Sequence, residues 1–275
     1  MRYISAIIGF FVCGSAFGQY YYNDIIATQQ SQNQYQLLRT NKVKRIVAIS
    51  FEEDRTTTEG FKLTQELSND GKKLVTSTSN ISGKTTETTS YFEQGKIKRT
   101  ESYSNGIDNK MEYGYDATGN IKLFTLTTLD TAMNYHSVET REWHSNVNGN
   151  YTDVIKIKNG TDSSLGSFVY DEEGNLVEEH WKKKNKEIET YYYYYNKAHQ
   201  ITDIVRYNTR LKKLIPDYQY EYDAKGRPIQ MTQLTASGKY FIWKYTYNDK
   251  GLKISETCTD NKKLQVGNIE YRYEY

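Results

Sequence analysis

The chain has 275 residues and a formal net charge of +2 at pH 7, so its overall charge favours neither a nucleic acid nor an anionic membrane as a partner. Its mean hydropathy is −0.82, but its aromatic content of 14% argues against disorder. Only two prolines occur, which fits a sheet-rich chain because proline interrupts β-ladders.

Residues 1–18 have the features of an export signal. Arg2 supplies positive charge, residues 4–12 form a short apolar run, and residues 16–18 read Ala-Phe-Gly, a small-x-small cleavage site. The apolar run is too short to span a bilayer. We therefore expect a mature chain that begins at Gln19, as in the exported Bacteroidetes proteins that this signal resembles. Lipidation at Cys13 stays open, although bulky residues precede it.

Residues 19–42 do not follow the pattern of the rest of the chain. Asn23 or Asp24 could cap a helix, and the segment is weakly amphipathic and rich in glutamine. We predict a short helix or arm before a first strand at residues 43–51. It could cap the open end of a sheet or dock onto a partner, and the candidate aromatic anchors for docking are Tyr20, Tyr21 and Tyr22.

From about residue 60 onward, a turn motif recurs at steps of about 25 residues. It reads Tyr-Asp-x-x-Gly at residues 115–119, 170–174 and 222–226, and Tyr-Asn-x-x-Gly at residues 247–251. The Asp or Asn can accept a hydrogen bond from the backbone two residues on, and glycine provides the positive φ of a tight turn. With degenerate copies, the predicted structural turn positions are Gly71, Gly95, Gly119, Gly149, Gly174, His199, Gly226 and Gly251.

The segments between these turns are predicted strands. Trp243, Tyr245 and Tyr247 alternate with polar residues, which is typical of a half-buried strand. In the run 191–195, Tyr192 and Tyr194 fall on the face opposite to their neighbours, so they are candidate partner-contact residues. We predict an all-β domain at residues 43–275: an antiparallel meander of about eight hairpins that forms an elongated, curved or partly curled sheet.

Motifs that carry chemistry are scarce in this sequence. The four histidines lack zinc-ligand spacing, and there is no nucleophile elbow, phosphate loop or dinucleotide fingerprint. The acidic clusters 171–173 and 178–179 could serve a glycosidase, but turn chemistry already explains the first of them. Basic runs at 182–184 and 212–213 are typical of guarded strand edges. We expect no catalytic residue, cofactor or metal, and a non-enzymatic protein.

Two stretches carry a family resemblance. Residues 220–227, Tyr-Glu-Tyr-Asp-Ala-Lys-Gly-Arg, and residues 113–120, Tyr-Gly-Tyr-Asp-Ala-Thr-Gly-Asn, resemble the YD repeats of the Rhs family. The resemblance covers about residues 60–275. In that family such repeats build long sheets that wrap into hollow shells around a toxin. This chain is too short for such a shell, so the resemblance implies the β-repeat architecture alone.

Size, signal and repeat type together are also similar to the plug subunits of the type IX secretion translocon. That resemblance implies a periplasmic protein associated with the outer membrane through a partner, a large outer-membrane barrel, with no span of its own. The alternative is a secreted or surface glycan-binding module, because Trp143, Trp181 and Trp243 could stack on sugar rings. These three residues, however, do not share one repeat position.

Overall fold

The computed structural model describes residues 20–80, 82–208, 212–235 and 238–275, so the predicted signal at residues 1–18 lies outside the described residues. A π-helical segment, Tyr21–Ile26, continues directly into the α-helix α1, Ala27–Thr40. The helix ends where Asn41 donates to the Leu37 carbonyl from both its backbone and its side chain, and Lys42 adopts a φ of 56°.

Eighteen strands follow within the described residues, and each is antiparallel to the next. They are β1 (Arg45–Ser50), β2 (Lys62–Leu67), β3 (Lys73–Ser79), β4 (Thr85–Glu93), β5 (Lys96–Ser104), β6 (Ile107–Tyr115), β7 (Ile121–Asp130), β8 (Tyr135–Ser145), β9 (Tyr151–Lys158), β10 (Asp162–Tyr170), β11 (Leu176–Lys183), β12 (Lys186–Tyr195), β13 (Ile201–Asn208), β14 (Lys213–Tyr222), β15 (Pro228–Leu234), β16 (Tyr240–Tyr247), β17 (Lys253–Asp260) and β18 (Gln265–Glu274).

The sheet closes on itself to form a barrel. Strand β1 pairs with β2 on one side and with β18 on the other, in a register that joins Arg45 to Glu274 and Ser50 to Ile269. The prediction of an open, elongated, curved or partly curled meander of about eight hairpins is therefore wrong. Each hairpin adds twist and tilt, and β1, which precedes the first repeat, covers the edge that β18 would otherwise expose.

The barrel has two different ends. At the end that we call the turn rim, tight turns join β2 to β3, β4 to β5 and so on to β17. In the third of them, Asp116 Oδ1 accepts hydrogen bonds from the Thr118 and Asn120 amides, both at 2.9 Å. The eight predicted turn positions all lie here and have positive φ, from 58° at His199 to 91° at Gly119. The other end is called the open rim.

The helix lies inside the barrel, because its two ends contact opposite walls. Leu38 packs with buried residues of β1, β2 and β18, whereas the ring of Tyr21 lies 6.0 Å from that of Tyr193 on β12. Strands about 4.8 Å apart and tilted by about 40° give a ring of this size a diameter of about 35 Å, and a helix of about 20 residues spans about 30 Å. The helix is therefore long enough to cross the lumen from one wall to the opposite wall.

The two faces of the barrel wall differ in chemistry. Arg141 and Trp143 contact the helix, so Glu142 and His144, which alternate with them, point outward. The outer face carries charge on most strands, with ion pairs such as Arg99–Glu101 at 3.0 Å. The lumen is aromatic near the turn rim. Toward the open rim it becomes polar, as in the hydrogen bond from Thr86 to Ser104 at 2.9 Å.

Candidate functional site: the helix anchors in the barrel lumen

A buried carboxylate holds the first turn of the helix. Glu179 projects from β11 into the lumen and is fully buried. Its Oε1 accepts hydrogen bonds from the amides of Tyr20 and Tyr21, at 3.0 and 3.2 Å, and from Trp181 Nε1 at 2.7 Å. Its Oε2 accepts one from the Tyr193 hydroxyl. Burial raises the pKa of Glu179 to about 7, although the hydrogen bonds from Tyr193 and Trp181 oppose that shift.

A buried charge cluster anchors the next turn. Arg141 on β8 donates to Asp24 on the helix, and its Nε donates to Glu139 Oε1 at 2.8 Å. Lys156 on β9 lies 3.5 Å from Glu139 Oε2 and donates to the Tyr20 hydroxyl. Burial raises the pKa of Asp24 to about 6, against the attraction of Arg141. Each charge of the cluster therefore faces a partner from a different element, which fixes the position of the helix.

Aromatic rings enclose the helix around these polar anchors. The ring of Tyr21 lies 5.6 Å from Phe168 and 6.3 Å from Trp143, and Tyr22 stacks on Tyr218 at 5.7 Å. The hydroxyl of Tyr22 lies 2.6 Å from that of Tyr220. Tyrosine suits this place because it combines a large apolar ring with a hydroxyl that can find a partner.

The other end of the helix is tied to the turn rim. Tyr35 stacks on Phe92 and donates its hydroxyl to the carbonyl of Gly71. Gln36 Nε2 donates to the carbonyl of Gly95 at 3.5 Å. Two of the predicted turn glycines therefore accept hydrogen bonds from side chains of the helix. Between the two anchored ends, Gln29, Gln30 and Asn33 are exposed. The helix is thus fixed at both walls, and its middle is exposed to solvent.

The structure separates the predicted contact residues into two groups. Tyr20, Tyr21 and Tyr22 lie in the lumen, where their rings contact the chain's own barrel. Tyr192 and Tyr194 lie on the outer face of β12, where Tyr194 is 48% exposed. The pairing register places Tyr192 between Glu178 on β11 and Val205 on β13, with Val169 on β10 beyond Glu178. Only this second group offers aromatic surface to a partner.

Sequence reasoning missed the lumenal anchors Glu179, Asp24 and Arg141. Glu179 belongs to the acidic cluster 178–179, and strand alternation places Glu178 outside and Glu179 inside. The signal available in the sequence was a carboxylate two residues before Trp181, on the same strand face as a large aromatic side chain. The sequence does not show which strands that face would meet across the lumen.

Other residues of types that often bind ligands or react are buried or are not grouped into a site. The three tryptophans are buried, and so is Cys258, whose pKa burial raises to about 12. Among the described residues, no group of three or more His, Cys, Asp or Glu is arranged to hold a metal ion. Neither helical segment in the described part of the chain has both the length and the apolar character that a membrane crossing requires.

The fold and its site define a class of protein, an antiparallel β-barrel with a helix anchored across its lumen. No protein-family model and no curated protein matches the chain. Among solved structures it is similar to a porin-like protein from Bacteroides uniformis, with 12% identity over 84% of this chain and 98% of that chain and a TM-score of 0.41.

It is also similar to a chain of a TcdB2-TccC3 complex, with 13% sequence identity and a TM-score of 0.36. That match covers 81% of this chain and 14% of the other chain. A Photorhabdus luminescens Tc holotoxin pore gives 10% identity, 86% and 17% coverage and a TM-score of 0.20. The chain thus spans under a fifth of those toxin chains. Because all these TM-scores lie below 0.5, the similarities define neither a family nor a function for this chain.

Proposed function

We propose that this chain is an exported, non-enzymatic interaction protein that acts as a stopper, meaning that it blocks a channel. It does so as a periplasmic accessory subunit of an outer-membrane protein machine. In its sharpest form the proposal is a plug that closes the type IX protein translocon. The observation that carries it is the helix that crosses the barrel between opposite walls, because a barrel of this width without such an obstruction would leave an aqueous channel.

The anchoring of the helix supports a stopper rather than a conduit. Three separate strands hold three separate turns of the helix, through Glu179 on β11, Arg141 on β8 and Phe92 on β4, on which Tyr35 of the helix stacks. Moving the helix out of the lumen would break the hydrogen bonds from the Tyr20 and Tyr21 amides to Glu179 and separate Asp24 from Arg141. It would also expose the packed rings around Tyr21 to water, so the blocked state is the stable one.

The outer face supports aqueous surroundings. Membrane-spanning barrels present an apolar band outward, whereas this barrel presents charges such as Glu142, Lys110 and Glu112. A charged wall suits a protein that sits in the periplasm and reaches the outer membrane through a partner. The signal predicted at residues 1–18 favours the same location, with secretion as the alternative.

The outer patch around Tyr194 is the surface that we assign to the protein partner. Exposed aromatic residues are enriched where proteins bind each other, and Tyr194 is 48% exposed on this face. The alternative of a glycan-binding module loses support because Trp143, Trp181 and Trp243 have no exposed ring face for a sugar.

The experiment is a mild-detergent pull-down of the tagged protein from native envelopes, with co-purifying chains identified by mass spectrometry. We expect stoichiometric recovery of a large outer-membrane barrel. The substitution Tyr194→Lys should reduce that recovery, and Tyr103→Lys, at an exposed outer tyrosine far from the patch, should not. Recovery of the protein alone, as a free soluble species, would refute the accessory role.

A further inference from the structure

The basic runs of the sequence come together at one end of the barrel. We call them the basic arc, which consists of exposed lysines at the open-rim tips of four neighbouring hairpins, from β11–β12 to β17–β18: Lys182, Lys183, Lys184, Lys186, Lys212, Lys213, Lys239, Lys262 and Lys263. The sequence interpretation of such runs as edge guards fails, because the strands of a closed barrel are paired on both sides and leave no edge to guard.

The acidic residues at these hairpin ends are too few to neutralise the arc, because its nine lysines outnumber Glu187 and Asp260. Glu187 accepts a hydrogen bond from the Thr190 hydroxyl, and Asp260 Oδ1 accepts the amides of Lys262 and Leu264 at 2.8 and 3.0 Å, so both carboxylates are held by groups outside the lysine side chains. Within the described residues, the ion pair within 4.0 Å that involves the arc joins Lys183 to Asp162. Glu187 lies opposite Lys182 across the hairpin and attracts its charge, so the charge that the arc presents to solvent comes mainly from its other lysines.

Each hairpin of the arc also exposes a large apolar side chain beside its lysines. Ile188 is 46% exposed, Leu214 is 47% exposed, and Tyr240 and Leu264 are each 38% exposed. Lysine next to exposed aliphatic or tyrosine side chains is the combination that binds membrane interfaces, where the charge meets headgroups and the apolar group enters the acyl boundary. Nucleic acid would instead favour arginine and stacked aromatic rings.

We propose that the basic arc is a docking surface for a membrane rich in anionic lipid headgroups. The described lysines of the arc lie at one rim on neighbouring hairpins, so they can reach a flat surface together, and each lysine near such a surface adds to the attraction. The β1–β2 loop beside the arc carries Glu53 and Asp54, so the barrel should tilt with the arc toward the membrane. The net charge of +2 conceals this local surface.

This inference does not rest on the stopper function, since a barrel with another task could carry the same arc. The test is co-sedimentation of the exported chain with vesicles of phosphatidylglycerol and phosphatidylethanolamine, compared with vesicles of phosphatidylcholine. We expect binding to the anionic vesicles that weakens as salt is added. If the chain stays free of anionic vesicles at low salt, the proposal is refuted.

Two matched variants locate the surface. Lys186→Glu, Lys213→Glu, Lys239→Glu and Lys262→Glu combined change one lysine per hairpin and should weaken partitioning at least about 100-fold. Lys72→Glu, Lys197→Glu, Lys225→Glu and Lys250→Glu make the same change in charge at the turn rim and should weaken it less than about threefold. Equal losses in the two variants would show attraction by net charge alone and overturn the assignment.

A second pair of variants tests the apolar part. Ile188→Ser, Leu214→Ser and Leu264→Ser combined should lower binding to the anionic vesicles about tenfold. Val147→Ser, Ile229→Ser and Ile254→Ser combined, at exposed positions near the turn rim, should leave it unchanged. A different outcome would overturn the membrane assignment: millimolar inorganic phosphate displaces the chain from the vesicles much more than sodium chloride of equal ionic strength does, and the serine variants bind normally. The surface would then recognise a free anion and not a membrane.

Discussion

Glu179 Oε1, inside the barrel, lies 3.0 Å from the amide nitrogen of Tyr20, although the two residues are 159 positions apart in the chain. This contact joins the beginning of the helix to the middle of the barrel wall. A helix begins with amide groups that have no partner within the helix, and here a wall carboxylate accepts two of them.

The first prediction concerns this contact. Replacing Glu179 by alanine leaves the Tyr20 and Tyr21 amides and the Trp181 indole without their acceptor, so the free energy of unfolding should fall by about 3 kcal/mol or more. The neighbouring substitution Glu178→Ala, on the outer face, should change it by less than about 1 kcal/mol. Urea unfolding measures both, and equal effects would contradict the anchoring role.

A second prediction follows from the pKa of Glu179, which burial raises from 4.5 to about 7. Between these values the folded protein binds a proton that the unfolded chain has released, so the free energy of unfolding should fall as pH rises from about 4.5 to 7. The slope from this group is about −1.4 kcal/mol per pH unit at most. Above pH 7 its contribution is constant.

The comparison with Glu179→Gln isolates that slope. Two other groups affect the same pH range: Asp24, whose pKa is raised to about 6, and His144, whose pKa is raised by its partner Asp153. Their contributions to the pH dependence of the free energy of unfolding are the same in both proteins and cancel in the difference. We expect the native protein to lose more stability than Glu179→Gln between pH 5 and 7. Parallel curves would show that Glu179 is ionised across this range.

The third prediction concerns the Asp24–Arg141 pair, which is buried inside the barrel. Asp24→Ala or Arg141→Ala alone should lower the free energy of unfolding by about 3 kcal/mol, because each leaves a charge with fewer partners. The double substitution Asp24→Leu with Arg141→Met should cost less than the sum of the single changes. The exposed pair Arg45–Glu66, treated in the same way, should give a coupling below about 1 kcal/mol.

The fourth prediction separates backbone strain from crowding at Gly174. Its φ is +81°, and a Cβ there would meet nothing within 4 Å, so substitution acts through the backbone alone. Gly174→Val should lower the free energy of unfolding by about 1–2 kcal/mol, and Gly174→Asn by clearly less because asparagine tolerates this region. Unchanged thermal stability in the valine variant would refute the assigned turn conformation.

The fifth prediction concerns Gly166, where the limit is space. A Cβ there would lie 2.7 Å from Val154 Cγ1 and 2.9 Å from Trp181 Cζ2. Gly166→Ala should therefore lower the free energy of unfolding by about 1–3 kcal/mol. Adding Val154→Ala should recover part of that loss, which would not happen if the glycine were needed for its backbone.

Local chemistry made the turns predictable from sequence. Asp116 and Gly119 lie three positions apart within one turn, and the Gly119 and Thr118 amides donate to Asp116 within that distance. The helix was also visible near its observed place, because spacing within residues 19–42 marks a weakly amphipathic segment. These features depend on neighbours in the chain, which a single sequence displays directly.

Closure and the lumenal site depend on distant residues. Nothing around Arg45 or Glu274 indicates that they pair, and an open sheet satisfies the same local pattern. Tyrosine adds a further ambiguity because its ring can be buried while its hydroxyl stays wet, so Tyr20, Tyr21 and Tyr22 suit an exposed anchor as well as a lumenal one. The width of the lumen, set by strand number and tilt, decides between them.

The pairing of β1 with β18 changes how the repeats lose structure. An open array of repeats can fray from its terminal units one at a time, since each end has a neighbour on one side only. In a ring every hairpin has two neighbours, and unfolding must first break a ladder that is supported on both sides. The seam between Arg45 and Glu274 therefore converts a series of nearly independent repeats into one cooperative unit, in which losing any hairpin opens the whole wall.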